Sequence, residues 1–331
     1  MSAGRAAWNV VTSWDEFTGE NFRRGGHLPE DRRYARAKEF LTAAATLWTH
    51  GATMTSSPMP RTADSWHASR RVNSTSPVRD STSAEIIRRP VRHRGPVVFQ
   101  AGDSDEGREF AAATADAIFS RHATYDAGRA FYTDVKRRLA AYGRRPDQLL
   151  VLPAATFVVG DTDAQAAELA HEVRLQQVSG QTAIKFLEQL WNRDLSDHDP
   201  DGPLPQVDPI PGENTVAKGR ASVRMHRDPV AVAREWRDLA EAKNLTTREL
   251  IIEVTGRQSF VGSPQTIAHT INDFVQADVA DGFILVPHIV PGGLDRFVDE
   301  VVPLLQELGV YRTDHEGSTL RDNLGLARPA G

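Results

Sequence analysis

The sequence predicts an α/β protein built on a parallel β-sheet, and two observations support this. Its apolar stretches are short and unbroken, without the alternation of a half-exposed strand, and segments with helical spacing separate them. Strands of parallel sheets are covered on both faces, which produces such runs. Five convincing strands can be counted. This number fits part of a (β/α)-barrel or a doubly wound sheet, since a closed barrel has eight.

The first half of the chain gives three of these strands. Strands are predicted at 7–11, 96–101 and 117–120. Helices are predicted at about 104–114 and 127–142, and a longer one follows Pro29, where a missing N–H costs little. That helix carries apolar residues at helical spacing, namely Tyr34, Ala37, Phe40, Leu41, Ala44 and Leu47.

The second half gives the other two strands, at 149–159 and 281–287. Helical patterns cover 161–177, 228–244, 246–256, 264–277 and 291–309, while 195–220 is rich in Pro, Gly and Asp and indicates a surface excursion. Residues 51–94 show neither the helical nor the strand spacing of apolar residues, and two interpretations stay open. One is a disordered basic loop. The other is a frame-shifted stretch, because GC-rich codons read from their third base would restore an acidic composition.

Composition excludes several classes of function. A net charge of −5 gives no polyanion-binding signal, so we expect no nucleic-acid partner. The chain has no cysteine, which excludes disulfides and thiolate chemistry. No apolar run reaches the roughly 20 residues of a membrane helix, and no signal core precedes the first strand. We therefore expect a cytoplasmic protein without a membrane partner.

Candidate ligand contacts follow the strands, because α/β proteins bind ligands at the carboxyl ends of parallel strands. Ser13 ends "NVVTS", although Ser13-x-x-Glu16 also matches a capping box. In "QAGDSDEG", Gly102 permits close backbone approach, and the N–H groups that open the next helix form an anion site. Helix capping by Asp103 or Ser104 is the alternative interpretation.

Histidines give a weaker signal. His288 follows the last strand and His27 precedes the first helix, and a lone loop histidine is more often simply solvated. The chain contains no HExxH or comparable cluster, so we predict no metal site.

Several blocks in order resemble the nitrilotriacetate monooxygenase and dibenzothiophene-sulfone monooxygenase group of the bacterial-luciferase-like superfamily. They cover about 1–49 and 95–327 and include "GRAAWNVVTS", "NFRRGGHLPEDRRYARAKEFL", "PVVFQAGDSDEGREFAAATADAIFS", "VLPAATFVVGDTDAQA" and "YRTDHEGSTLRDNLGL". The resemblance implies a TIM (β/α)8-type barrel and a two-component monooxygenase. Reduced FMN would come from a separate NAD(P)H:flavin reductase and react with O2. The substrate would be a small organic molecule, such as an aminopolycarboxylate or an organosulfur compound, and the enzyme would be a homo-oligomer.

The same resemblance implies which residues bind FMN but assigns no catalytic residue. Ser13 would contact FMN, Tyr34 would hydrogen-bond its phosphate, and Gly102, Asp103 and Ser104 would hold the phosphate end. The family more often has a small neutral residue where this chain has Asp103, and an anion there would repel phosphate.

In the family, the segment like "GRAAWNVVTS" forms the fourth strand. We therefore expect a single, partial barrel domain over 1–331 that keeps about the last five strands. A helical insertion over 162–262 would precede the last strand, and a chain without its first three strands would be unstable or inactive. Two other functions stay open: a deazaflavin-dependent oxidoreductase of the same superfamily, and a non-catalytic remnant.

Overall fold

A computed structural model describes residues 2–12, 28, 30–50, 95–122, 124–212, 228–256 and 259–327. The chain divides into two compact units. The first consists of Met1–Ala154, Ile271–Leu285 and Leu305–Gly331, and the second of Ala155–Thr270 and Val286–Leu304. The unpatterned stretch 51–94 lies outside the described residues, as do Ser13 and His27.

The strands, in chain order, are β1 (Ala7–Val10), β2 (Val97–Gln100), β3 (Ala117–Ser120), β4 (Leu150–Ala155), β5 (Phe157–Val159), β6 (Phe260–Gly262) and β7 (Ile284–Leu285). The helices are α1 (Glu30–His50), α2 (Asp105–Thr114), α3 (Tyr125–Arg138), α4 (Asp163–Gln177), α5 (Gly180–Trp191), α6 (Pro229–Lys243), α7 (Thr247–Thr255), α8 (Pro264–Gln276), α9 (Val302–Glu307) and α10 (Leu320–Asn323).

A half-barrel sheet of five strands, in the order β1-β2-β3-β4-β7, organises the first unit. Its first three pairings are parallel, with Val10 opposite Gln100, Gln100 opposite Ile118, and Ser120 opposite Pro153. The predicted α/β class is therefore confirmed, and the five strands expected from the sequence are those of this sheet. Parallel pairing brings the carboxyl ends of β1, β2 and β3 to one edge.

The core of the first unit lies under the helices that connect these strands. Ile118 on β3 is fully buried, as are Val135 and Leu139 from the end of α3 and Leu149 before β4. Unbroken apolar strands covered by amphipathic helices exclude water in this way. A partly buried Lys136–Asp281 ion pair of 2.7 Å ties α3 to the segment before β7, and Asp281 also accepts the N–H of Val151 at 2.7 Å.

The second unit has its own sheet and its own helical core. β5 pairs in parallel with β6, and Phe157 faces Phe260. Helices α5, α6 and α7 pack around Trp191, Trp236, Leu250 and Ile251, all of which are buried. A capping box between Thr246 and Glu249 starts α7 and satisfies two of its terminal N–H groups.

Several element predictions differ from the structure, among them the strand expected at 281–287, which is reduced to Ile284–Leu285. The apolar run 149–159 was expected to form one strand, but it forms two that end in different sheets, β4 and β5. β6 was not predicted, because three residues are too few for an apolar pattern. In the part of the chain that the structure describes, no helix is long and apolar enough to cross a membrane.

Candidate functional site

The candidate site lies at the carboxyl end of β2, where the strand turns into α2. Gln100 ends the strand with a buried side chain, and its Oε1 accepts the N–H of Gly102 across the turn. A buried amide is costly unless it is hydrogen-bonded, so this contact fixes the start of the turn. The backbone of residues 101–104 then leads directly into the first turn of α2.

Two glycines allow the strand end, the helix start and a tyrosine to crowd together. A Cβ on Gly102 would lie 2.8 Å from Tyr34 Oη and 2.8 Å from the Cα of Gly107. A Cβ on Gly107 would also lie 2.8 Å from Tyr34 Oη. Real Cβ atoms do not approach so closely, so only glycine fits at either position. Together, Gly102, Gly107 and Tyr34 form what we call the glycine cradle.

Helix α1 supplies Tyr34 to this cradle. The tyrosine ring is half-buried and packs against Phe110 of α2, with 5.9 Å between ring centroids. Among the described residues, none exchanges a hydrogen bond with Tyr34 Oη. Its hydroxyl is therefore held beside the start of α2 with its hydrogen-bonding capacity unused by that part of the protein.

Ser104 caps α2 in the way that the capping interpretation predicts. Its Oγ accepts the N–H of Gly107 at 3.2 Å, and its backbone is extended as an N-cap requires. The hydroxyl still has its own proton to donate. The N–H groups of the first turn have no acceptor within the helix, so this end of α2 offers donors to an anion.

The negative charge of Asp103 near the start of α2 is compensated by two neighbouring side chains. His122, which follows β3, places Nε2 2.8 Å from Asp103 Oδ1, and Arg108 Nη2 lies 3.5 Å from the same oxygen. The hydrogen bond from His122 lowers the pKa of Asp103, and the positive charge of Arg108 contributes in the same direction, while partial burial opposes them. An ionised carboxylate only accepts, so His122 Nε2 is the donor.

The second acid of the motif is also paired. Asp105 Oδ1 accepts from Arg138 Nη2, and the same guanidinium binds Glu109 at 2.9 Å and Asp134 at 3.0 Å. Hydrogen bonds to these three carboxylates raise the pKa of Arg138, although burial acts against them. Both aspartates of "DSDEG" are therefore paired with basic side chains at the turn.

Of the five residues expected to bind FMN, four lie together. Tyr34, Gly102, Asp103 and Ser104 meet at the β2–α2 turn, whereas Ser13 lies outside the described residues. His288 is exposed and belongs to the second unit. No group of three or more His, Asp or Glu residues in the described ranges could hold a metal ion.

Sequence reasoning missed two residues of the site, His122 and Arg108. A signal for His122 existed, because it comes two residues after a predicted strand and Asp103 comes shortly after another. Neighbouring parallel strands bring such residues to the same edge. Arg108 carries no comparable signal, since an arginine on the exposed side of a helix start is usually solvated.

Comparison with known proteins shows the family to which this chain belongs. The sequence profile described as "Luciferase-like monooxygenase" matches residues 1–281. Nitrilotriacetate monooxygenase component A of Aminobacter aminovorans is 38% identical over 338 residues, covering 99% of this chain and 70% of that protein. Dibenzothiophene-sulfone monooxygenase of Rhodococcus erythropolis is 32% identical over 353 residues, covering 99% of this chain and 71% of that protein. The solved structure of EDTA monooxygenase from Chelativorans sp. BNC1 is 27% identical with a TM-score of 0.66, covering 99% of this chain and 73% of that chain.

One expectation from the sequence is not supported by these comparisons. We expected an N-terminally truncated chain without its first three strands, but the matches cover 99% of this chain. The instability or inactivity expected of such a chain stays a prediction. The resemblance to the nitrilotriacetate and dibenzothiophene-sulfone monooxygenases is confirmed.

Proposed function

The chain belongs to the luciferase-like monooxygenase family and is a flavin-dependent monooxygenase, and we propose that its flavin is FMN, bound by its phosphate at the β2–α2 turn. The observation that carries this proposal is the glycine cradle. There, two glycines let Tyr34 Oη lie against the backbone that opens α2. A Cβ at either glycine would fill the space, and the turn combines a tyrosine hydroxyl, a serine hydroxyl and free helix N–H groups.

Each group at the turn has a role toward a phosphate. The hydroxyls of Tyr34 and Ser104 can donate hydrogen bonds to phosphate oxygens, as can the N–H groups of the first turn of α2. Gly102 lets the backbone approach without a side chain in the way. We carry over a contact of Ser13 with the flavin from the family motif. When bound, the reduced flavin supplies the electrons that activate O2, and the protein orients it and excludes water.

From the same resemblance we also propose the partner enzyme, the assembly, the compartment and the substrate class. A separate NAD(P)H:flavin reductase would deliver reduced FMN, and the enzyme would work as a homo-oligomer in the cytoplasm. The substrate would be a small organic molecule of the aminopolycarboxylate or organosulfur kind. Relatives named for nitrilotriacetate, EDTA and dibenzothiophene sulfone support these two substrate classes.

The binding test compares FMN with riboflavin, which has the same ring but no phosphate. Reduced flavin is titrated without O2, and quenching of tryptophan fluorescence reports binding. We expect Tyr34→Phe to weaken FMN binding by about tenfold, because a hydrogen bond to a charged group is lost. Riboflavin binding should stay unchanged. Tyr142→Phe is the matched control, since its hydroxyl binds Glu109 on the far side of α2.

Two outcomes would contradict the proposal. One is equal affinity of the unchanged chain for FMN and riboflavin, which would show that no phosphate site exists. The other is oxygenation with a reduced deazaflavin and none with reduced FMN, which would favour the other oxidoreductases of the superfamily. We expect the opposite result: with reduced FMN supplied by any flavin reductase, one oxygen atom of ¹⁸O2 appears in the product.

A further inference from the structure

An ionic cluster stands directly beside the proposed phosphate site. Asp103 accepts from His122 Nε2 at 2.8 Å, and Arg108 Nη2 lies 3.5 Å from the same carboxylate oxygen. Both partners rest on the buried ring of Phe131. The His122 ring centroid lies 4.8 Å from it, and Arg108 Cζ lies 4.9 Å from it. Packing on the Phe131 ring holds His122 and Arg108 beside the turn.

Arg108 also fixes the backbone of the turn. Its Nε donates to the carbonyl oxygen of Asp103 at 3.1 Å. Because the following peptide is planar and trans, the N–H of Ser104 must point away from Arg108 when that carbonyl points toward it. The guanidinium therefore sets the direction of a backbone donor at the start of α2.

Without its partners, Asp103 would oppose an anion at this turn. A carboxylate one residue before the helix cap repels a bound phosphate, and the repulsion is stronger where the site is partly shielded from water. The side chain of Asp103 is 38% exposed, so it can rotate unless it is held. The contact with His122 draws the carboxylate toward the end of β3.

We propose that His122 is a positioning residue for FMN, which holds the Asp103 carboxylate beside Arg108 so that a phosphate can bind at the β2–α2 turn. The proposal rests on the proposed FMN site. It implies that this chain tolerates an aspartate in its phosphate loop because the end of the neighbouring strand supplies the compensating donor. His122 need not touch FMN to do this.

The charged side chains near Asp103 do not replace the hydrogen bond from His122. Arg121 precedes it on the same loop and is exposed, so solvent screens its effect on Asp103. Arg108 is shared with Asp134, whose Oδ2 lies 3.1 Å from Nη1. Asp105 adds a second negative charge, but Arg138 binds it. Removing His122 therefore leaves Asp103 with one shared cation.

The test uses a double-mutant cycle with FMN and riboflavin as ligands. We expect His122→Ala to weaken FMN binding by about tenfold, because the released Asp103 carboxylate repels the phosphate in a partly shielded site, and to leave riboflavin binding unchanged. Asp103→Asn removes the carboxylate, so His122→Ala/Asp103→Asn should bind FMN as the unchanged chain does or more tightly. His122→Gln keeps a donor and should retain most of the affinity. His269→Ala, on the exposed face of α8, is the control for a lost histidine.

The outcomes separate the two proposals. If His122 only packs against Phe131, then His122→Ala weakens FMN and riboflavin equally and Asp103→Asn restores nothing, which overturns the positioning role. Unchanged FMN binding in His122→Ala overturns it as well, while the FMN site stands. Absence of FMN binding in the unchanged chain would overturn both proposals together. Thermal unfolding of each variant, followed by circular dichroism, shows which variants fold.

Discussion

Near the end of β2, Gly102 and Gly107 have no Cβ, and this allows the strand end, the start of α2 and Tyr34 to lie close together. Gly102→Ala would place a methyl group 2.7 Å from Gln100 Nε2 and 2.8 Å from the Cα of Gly107. The backbone atom cannot yield, so we expect about 1–3 kcal/mol lower unfolding free energy, as in other overpacked sites. FMN binding should be lost at the same time, because the turn must shift away from Tyr34. Urea unfolding and flavin titration measure the two effects.

Gly202→Ala is the control for that substitution. The three atoms nearest to its added methyl group would all belong to Asp199, with Oδ2 at 3.3 Å and Cβ and the backbone oxygen at 3.4 Å, so none would be as close as the atoms around Gly102. We expect little change in stability and none in FMN binding. Equal behaviour of the two variants would mean that the glycine cradle does not constrain the turn.

At the same scale, the sequence predicted residue types better than contacts. The Gly102 and Ser104 pattern indicated either an anion site or a cap, and the structure shows that Ser104 does cap α2. The distance from Tyr34 to the turn could not come from local spacing. About 68 residues separate Tyr34 from Gly102, and only the family resemblance joined them. Asp103 and His122 both follow predicted strands, but their contact also requires β2 and β3 to be neighbours in the sheet, which the pattern does not reveal.

Among the elements, strand positions were predictable where one short apolar run lies between clear helix or turn signals. β3 has the predicted bounds, and β1 and β2 lie within one residue of theirs at each end. The run 149–159 was wrongly predicted as one strand because apolar residues stand on both sides of Thr156. At that residue the backbone leaves the first sheet, and the next residues form β5 in the second sheet. Such a change depends on partner strands distant in sequence, so hydrophobicity alone does not reveal it.

A C-terminal clip fastens the short helix α10 to the sheet of the first unit. Arg321 binds Asp116 through both terminal nitrogens, at 2.8 and 2.6 Å, and Asp116 also accepts the N–H of Val98 at 2.9 Å. The two side chains are 12% and 19% exposed. Arg321→Ala would leave a mostly buried carboxylate without its cation, so we expect about 2–4 kcal/mol lower unfolding free energy.

The control for the clip is an ion pair of the same type at the surface. Arg145 and Asp147 are both about two-thirds exposed, so Arg145→Ala should change stability little. Urea unfolding at neutral pH compares the two variants. If Arg321→Ala were as harmless as Arg145→Ala, the clip would not hold α10 in place. Because Asp116 precedes β3, at the edge opposite the candidate site, FMN binding by the folded variant should be unchanged.

For the whole molecule, the pattern of apolar residues in the sequence predicted the class of fold. The same pattern did not predict the division into two units. Unbroken apolar strands between helices predict a covered parallel sheet, and this is the sheet of the first unit. In the described part of the second unit the sheet has two three-residue strands, of which β5 was predicted only as the end of the run 149–159 and β6 was not predicted. The helical insertion over 162–262 stays a prediction.

Acid sensitivity is a property of the whole molecule, because carboxylates with lowered pKa values occur in both units. The hydrogen bond from His122 lowers the pKa of Asp103, and the backbone N–H groups of Ser263 and Thr246 lower those of Asp163 and Glu249. Each binds fewer protons folded than unfolded, so its stabilisation is present above the unfolded pKa and is lost as pH falls through the folded value. We expect the urea concentration at the unfolding midpoint to decrease as the pH is lowered from about 5 through the ordinary pKa range of these carboxylates and below it. Asp163→Asn should reduce this slope more than Asp238→Asn, an exposed aspartate on α6, and a midpoint independent of pH in this range would refute the argument.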